Sequence, residues 1–219
     1  MFGTQDLTLF VISGLLLNIT PGPDSLLILA RSAGQGFRAG SAAALGIGAG
    51  TCVHVLAAAL GLSALLSASA WAFTAVKLVG AAYLVYLGLA MLRSRARPAA
   101  ATPSEAPAPA PLWQIFRQGF LTNVLNPKVA LFFLAFVPQF IAPDAPHKAL
   151  AFLLLGAIFN LNGMLWCHAL AWMGALAGRR VRAGLGHDGR LARLTSWLNR
   201  TMGALFLAFG LRLALSQAR

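Results

Sequence analysis

A carboxylate and an ammonium stand where the surrounding residues would suit hydrocarbon. Asp24 lies inside "LLLNITPGPDSLLILA" (15–30), and Lys128 inside "GFLTNVLNPKVALFFLAFVPQF" (119–140). A charge at the centre of a membrane span costs on the order of 2.5–3.5 kcal/mol, so each should face protein or water instead of lipid. Both sit beside prolines: Pro21 and Pro23 flank Gly22 just ahead of Asp24, and Pro127 precedes Lys128. Proline has no N–H to bond the carbonyl four residues back. Pro21 therefore releases the carbonyl of Leu17, Pro23 that of Ile19 and Pro127 that of Asn123. Thr20, Gly22 and Asn126 each precede a proline and are biased away from helical dihedrals. Backbone groups released in this way must be buried in protein or line a wet cavity.

Such a constellation suits a zwitterion. Asp24 and the released carbonyls can hold an ammonium, while Lys128, Asn126 and exposed N–H groups can hold a carboxylate. A carboxylate within a bundle is also a candidate proton carrier. The substrate-binding candidates are Asn18, Thr20, Pro21, Gly22, Pro23, Asp24, Lys77, Asn123, Asn126, Pro127, Lys128 and Asn160. Several have a plainer use. Lys77 is about seven residues inside its own span and could snorkel outward. Asn160 and Asn162 suit hydrogen bonds between helices as well as a cavity wall, and Tyr83 and Tyr86 suit either packing or lining. Asp24 and Lys128 could also form an ion pair that only orients helices. Cys52 with His54, and Cys167 with His168, invite a metal reading, but residues one or two apart on a helix diverge in direction. No cofactor is implied. The HExxH, Walker and nucleophile-elbow patterns do not occur, so an enzyme is not expected.

These residues must be positioned by membrane helices. The chain is 58% hydrophobic with a mean hydropathy of +0.74, and only 10% of it is charged, against about 25% in soluble domains. Apolar blocks long enough to cross about 30 Å of hydrocarbon fall near residues 7–30, 41–66, 70–92, 115–141, 148–174 and 196–216. The expected fold is an all-α integral membrane protein of six transmembrane helices forming a single domain, 1–219. The segment "ARPAAATPSEAPAPAP" (96–111) cannot form a helix and reads as a linker. With Leu112 it separates a first three-helix repeat, 1–95, from a second, 113–219. Asn18 stands three residues before Pro21, and Asn123 four before Pro127. The first helix of each unit is therefore interrupted, and an odd number of spans per unit would invert the second. Inverted repeats with discontinuous helices are a plan of secondary transporters. At helical rise Pro21 lies roughly 22 Å beyond Asp6, and Pro127 roughly 15 Å beyond Arg117, which brings both breaks near the bilayer centre. In span two, Gly46 and Gly50 stand four apart, a spacing for close helix packing or for a homodimer face.

The net charge of +12 does not point to nucleic acid, because the arginines alternate between loops. Arg31 and Arg38 follow span one. Arg93, Arg95, Arg97 and Arg117 lie between spans three and four, and Arg179, Arg180, Arg182, Arg190, Arg193 and Arg200 lie between spans five and six. The positive-inside rule then makes these loops cytoplasmic and both termini periplasmic. The last loop, "GRRVRAGLGHDGRLARL", could also meet anionic headgroups of the lipid bilayer. The opening "MFGTQD" lacks the basic start of a cleaved signal. Both cysteines fall inside spans, so free thiols are expected.

Taken together, "TPGPDSLLIL", "GLSALL", "VKLVGAAYLVYLGLAML" and "GFLTNVLNPKVALFFLAFVPQFI" resemble the LysE/RhtB family of bacterial amino-acid exporters. The resemblance covers the first half and the start of the second, and weakens after Gly178. It implies a multi-pass secondary transporter that exports amino acids or small derivatives across the inner (cytoplasmic) membrane, with proton coupling. The "PGPD" form is closer to the threonine/homoserine-type branch, implying a neutral amino-acid substrate. Two other classes remain open: a metal-cation exporter using Asp24, His54 and the cysteines, and a membrane scaffold without transport.

The charge pattern makes a topological prediction. In a background lacking Cys52 and Cys167, cysteines placed at Ala100 and Gly186 should be protected from an impermeant thiol reagent in intact cells. One placed at Ser69 should react. Outside labelling of the first two would reverse the orientation.

Overall fold

The computed structural model describes residues 2–62 and 109–183, together with the isolated positions Trp71, Leu78, Ala82, Val85, Tyr86, Leu89 and Leu207. Lys77, most of the Ala/Pro segment, most of the third and sixth expected spans and the last arginine-rich loop beyond residue 183 lie outside these described residues; Arg179, Arg180 and Arg182, expected in that loop, belong to the long helix Lys148–Arg182.

Helix α1 (Leu7–Ile19) stops where Pro21 and Pro23 remove two donors, and α2 (Pro23–Gln35) restarts with proline at its first position, where the missing N–H is harmless. The two axes bend by 54°. Gly36 then turns the chain with φ +84, a left-handed value that a side chain would resist. Helix α3 (Phe37–Ala57) follows and runs on through a π-helical turn, Ala58–Leu62. Helix α4 (Leu112–Val124) ends before Asn126-Pro127, and α5 (Pro127–Leu131) continues through Phe132–Phe136 and Val137–Phe140. The axes of Leu112–Val124 and Pro127–Phe140 bend by 46°. Helix α6 (Lys148–Arg182) has 35 residues without a break. Among the described residues, then, the fold is helical, apart from an isolated bridge between Thr4 and Ile141. Phe37–Gly61 and Lys148–Arg180 are each long and apolar enough to cross a membrane, and each bent pair matches one broken span.

The two broken spans run antiparallel. At one end the Gln5 N–H donates to the Phe140 carbonyl at 2.9 Å, and the Ala142 N–H to that of Gly3 at 2.8 Å. At the other end Arg31 Nη2 donates to Gln118 Oε1 at 2.9 Å, and Gln35 Nε2 to the Ala110 carbonyl at 3.0 Å. Arg31, placed by sequence in a loop after span one, is instead buried within α2. Its guanidinium is carried by the neutral amides of Gln118 and Gln35. Arg38 likewise falls inside α3, because the turn at Gly36 is so tight.

Apolar packing gathers at two levels. Phe10, Phe132, Phe136, Phe140, Phe152 and Phe159 dominate one cluster; Ile28, Ala43, Ile47, Ile115 and Ala171 belong to the other. Lipid tails are as apolar as leucine, so close backbone approach has to supply cohesion between helices. A side chain at Gly46 would overlap the Phe116 carbonyl, one at Gly119 the Ala43 carbonyl, and one at Gly50 would stand 2.9 Å from the Phe120 oxygen. The Gly46/Gly50 face is thus used within the chain, seating α3 on α4.

Gly46→Ala should therefore lower the thermal stability of the detergent-solubilised protein, by about 1–3 kcal/mol as overpacked cores do. At Gly61 an added Cβ meets nothing within 4 Å among the described residues, so Gly61→Ala should be neutral or gain about 0.5–1 kcal/mol. Equal melting shifts for the two would contradict the packing described.

Candidate functional site

Between the two apolar clusters the breaks meet, and each satisfies the other. Pro21 leaves the Leu17 carbonyl without its helical donor, and the extended turn at Thr20 leaves that carbonyl open too. Lys128 Nζ, from the second break, donates to Leu17 O at 3.1 Å and to Thr20 O at 3.0 Å. In return Asp24, in the first turn of α2, accepts at Oδ2 from Asn123 Nδ2 at 2.9 Å and from Asn126 Nδ2 at 3.0 Å. Asn126 also caps α5, its Oδ1 accepting the Lys128 backbone N–H at 3.0 Å. An asparagine at that cap stabilises the helix start by about 1 kcal/mol, and here it holds the Lys128 backbone while its amide faces Asp24. Thr20 closes α1 from its own side, its hydroxyl donating to the Leu16 carbonyl at 2.8 Å.

Asn123 is the most connected of these residues and is 1% exposed. Besides Asp24, its Oδ1 lies 3.3 Å from the Thr51 hydroxyl. Its carbonyl, released by Pro127, accepts from the Asn126 N–H at 2.9 Å and from His54 Nε2 at 3.0 Å. The carbonyls of Leu17 and Asn123, expected to stand open for an ammonium, are therefore already occupied by protein donors. Hydrocarbon penalises an unpaired carbonyl heavily; the opposite break supplies the donor for Leu17, while Asn126 and His54 supply those for Asn123.

Asp24 and Lys128 do not touch directly. Among the described residues no salt bridge within 4.0 Å joins them, and each has two neutral partners instead. Lys128 keeps one N–H, and Asp24 keeps Oδ1, which is buried without a hydrogen-bond partner among the described residues. Asn18 Nδ2, Trp166 Nε1 and Ser13 Oγ share that condition. A buried polar group left unpaired costs about 1–3 kcal/mol, so four of them, three in the first broken span and one in α6 beside it, call for a reason.

The remaining sequence candidates fall elsewhere or outside the described residues. Pro21 and Pro23 line the first break on its exposed side, and Gly22 lies against the lysine, a Cβ there standing 3.4 Å from Lys128 Nζ. Asn160 bonds across to α3, its Nδ2 donating to the Gly48 carbonyl at 3.3 Å and lying 3.4 Å from Cys52 Sγ. That is an interhelical clasp and not a contact of the Asp24 cluster. Lys77 lies outside the described residues. His168 has both ring nitrogens engaged, Nδ1 with the Met164 carbonyl at 2.8 Å and Nε2 with the Ser41 hydroxyl at 3.0 Å. Among the described residues, no three His, Cys, Asp or Glu side chains gather as metal ligands would. Sequence reading missed Thr51 and His54 as partners of Asn123, and Trp166 as an unpaired donor. Thr51 and His54 lie within an ordinary apolar span, and only the register of α3 on α4 brings them to the break.

Comparison with known proteins finds relatives along nearly the whole chain. An uncharacterized membrane protein of Pseudomonas aeruginosa is 36% identical over 216 residues, covering 97% of this chain and 96% of its own. Proteins named leucine efflux protein are 29% identical over 221 residues in Salmonella typhimurium (99% and 98% covered) and 30% identical over 216 residues in an Enterobacter species (97% of each). No solved structure matches the chain. The family profile described as LysE type translocator matches residues 15–217. The chain, with its two broken spans and its resemblance across nearly the whole length, belongs to the LysE type translocator family of membrane transporters.

Proposed function

We propose that this protein exports neutral amino acids from the bacterial cytoplasm across the inner membrane, holding each as a zwitterion between the two broken helices. One observation carries the reading: Asp24 and Lys128 are held apart by neutral partners, each with hydrogen-bonding capacity left over. An anion and a cation side by side make a site of no net charge, which favours a zwitterion over a basic or an acidic amino acid. The ammonium meets Asp24 Oδ1, and the carboxylate lies towards the third N–H of Lys128. Asn123, Asn126 and Thr20 orient these two charges, and Gly22 brings the backbone close to the lysine. The prolines keep both helices open.

The side chain is inferred from the relatives. Leucine efflux proteins at 29–30% identity favour an aliphatic substrate. The "PGPD" motif supports threonine or homoserine as the second reading. Apolar clusters on either side of the charges suit alternating access, one seal opening while the other stays shut. Asp24, the one acid at the breaks, is the residue we assign to proton coupling.

Proteoliposome counterflow with labelled leucine, threonine and homoserine tests this directly. The wild type should exchange leucine, and Asp24→Asn should lose exchange by about two orders of magnitude or more. An asparagine can still present an oxygen to Asn123 and Asn126, so the variant should remain folded and inserted. Full exchange by Asp24→Asn would overturn the assignment, and a preference for threonine would select the second reading.

A further inference from the structure

The substrate carboxylate in the proposed export site, on which this inference rests, needs more than one donor. Lys128 has already committed two of its three N–H groups to Leu17 and Thr20. The amides of Asn123 and Asn126 both point at Asp24 Oδ2. Two buried donors remain unpaired among the described residues, Asn18 Nδ2 and Trp166 Nε1. Their positions converge on the first break. Asn18 adjoins Leu17, whose carbonyl holds the lysine, and its side chain lies against α6: a Cβ at Gly163 would stand 3.3 Å from both Asn18 Nδ2 and Oδ1. Trp166 follows Gly163 by three residues, so the two are neighbours on the α6 surface. Trp166 and the next residue, Cys167, pack against the cluster that contains Ile28 of α2, one turn beyond Asp24. Ser13 sits more than a turn further along α1, near the phenylalanine cluster, and does not share this level.

An indole N–H can only donate, so its partner must be an acceptor, which a carboxylate is and an ammonium is not. We infer that Asn18 Nδ2 and Trp166 Nε1 donate to the carboxylate of the transported amino acid whose ammonium meets Asp24 Oδ1, and that they make the site select amino acids over amines. An amine of the same side chain would satisfy Asp24 but leave both donors unpaired. Hydrogen bonds to a charged group correspond to roughly tenfold to a hundredfold in affinity, so the discrimination should be of that order.

The test compares dissociation constants of the purified full-length protein for leucine and for 3-methylbutylamine, which is leucine without its carboxylate. The wild type should prefer leucine by about tenfold or more. Trp166→Phe and Asn18→Leu keep apolar bulk while removing one donor each. Either should lose most of that preference through weaker leucine binding, with affinity for the amine unchanged. The two variants act on different helices, so one that fails to fold leaves the other to decide. An undiminished preference in the folded variants, while Asp24→Asn abolishes leucine binding, would overturn this assignment and leave the export site standing. Leucine binding that survives Asp24→Asn would overturn both.

Discussion

A carbonyl released by proline inside a hydrocarbon-spanning helix must find a donor, and for the Leu17 carbonyl that donor belongs to the other broken helix. Lys128 Nζ on the Leu17 and Thr20 carbonyls, and Asp24 on the amides of Asn123 and Asn126, tie the two breaks reciprocally. Neither break could be buried alone. Without Lys128 the first would expose two unpaired carbonyls, and without Asp24 the second would leave two amides unpaired beside an unbalanced cation. Removing one partner of such an arrangement usually costs more than the arrangement itself contributes. The broken spans therefore come as a pair, antiparallel and adjacent, and their centres form one polar layer.

The rest of the described structure serves that layer. Glycine contacts between α3 and α4 bring Thr51 and His54 within reach of Asn123, which fixes the residue that faces Asp24. The unbroken α6 passes along both halves of the first broken span, with Gly163 against Asn18 and Gly174 and Gly178 against α2. Phenylalanines close one end of the layer and alanines with Ile28, Ile47 and Ile115 close the other. Low dielectric on both sides strengthens every polar contact between them and makes each unpaired atom expensive. Function would arise from that tension: a substrate that pairs the remaining atoms is bound by groups the protein does not satisfy internally.

Much of this was legible from residue types. Proline in an apolar run announces a break, and a charge beside it announces a partner, so Asp24, Asn123, Asn126 and Lys128 could be named from the sequence. What escaped was who bonds to whom. The released carbonyls looked like ligands for a substrate because sequence spacing cannot show that a lysine 111 residues beyond Leu17 would reach them first. Arg31 looked like a loop residue because Gly36 turns the chain within one residue, leaving no loop to read. Trp166 carried no signal at all, since an indole in a membrane helix is ordinary until its N–H is found without a partner. Asn160 had two possible uses, and helix register assigned it to α3.

The central claim is that the two breaks form a single binding site, and direct binding to Pro127→Ala tests it most sharply. Alanine restores an N–H that can return to the Asn123 carbonyl, displacing the Asn126 N–H and His54 and straightening the second span. The Asn126 amide and the Lys128 ammonium would then be drawn away from Asp24 and Leu17. The variant should express and melt like the wild type, because a more regular helix offsets the lost contacts, yet its affinity for leucine should fall by about tenfold or more. An unchanged dissociation constant would mean that the second break is architecture alone and that the two breaks do not share one site.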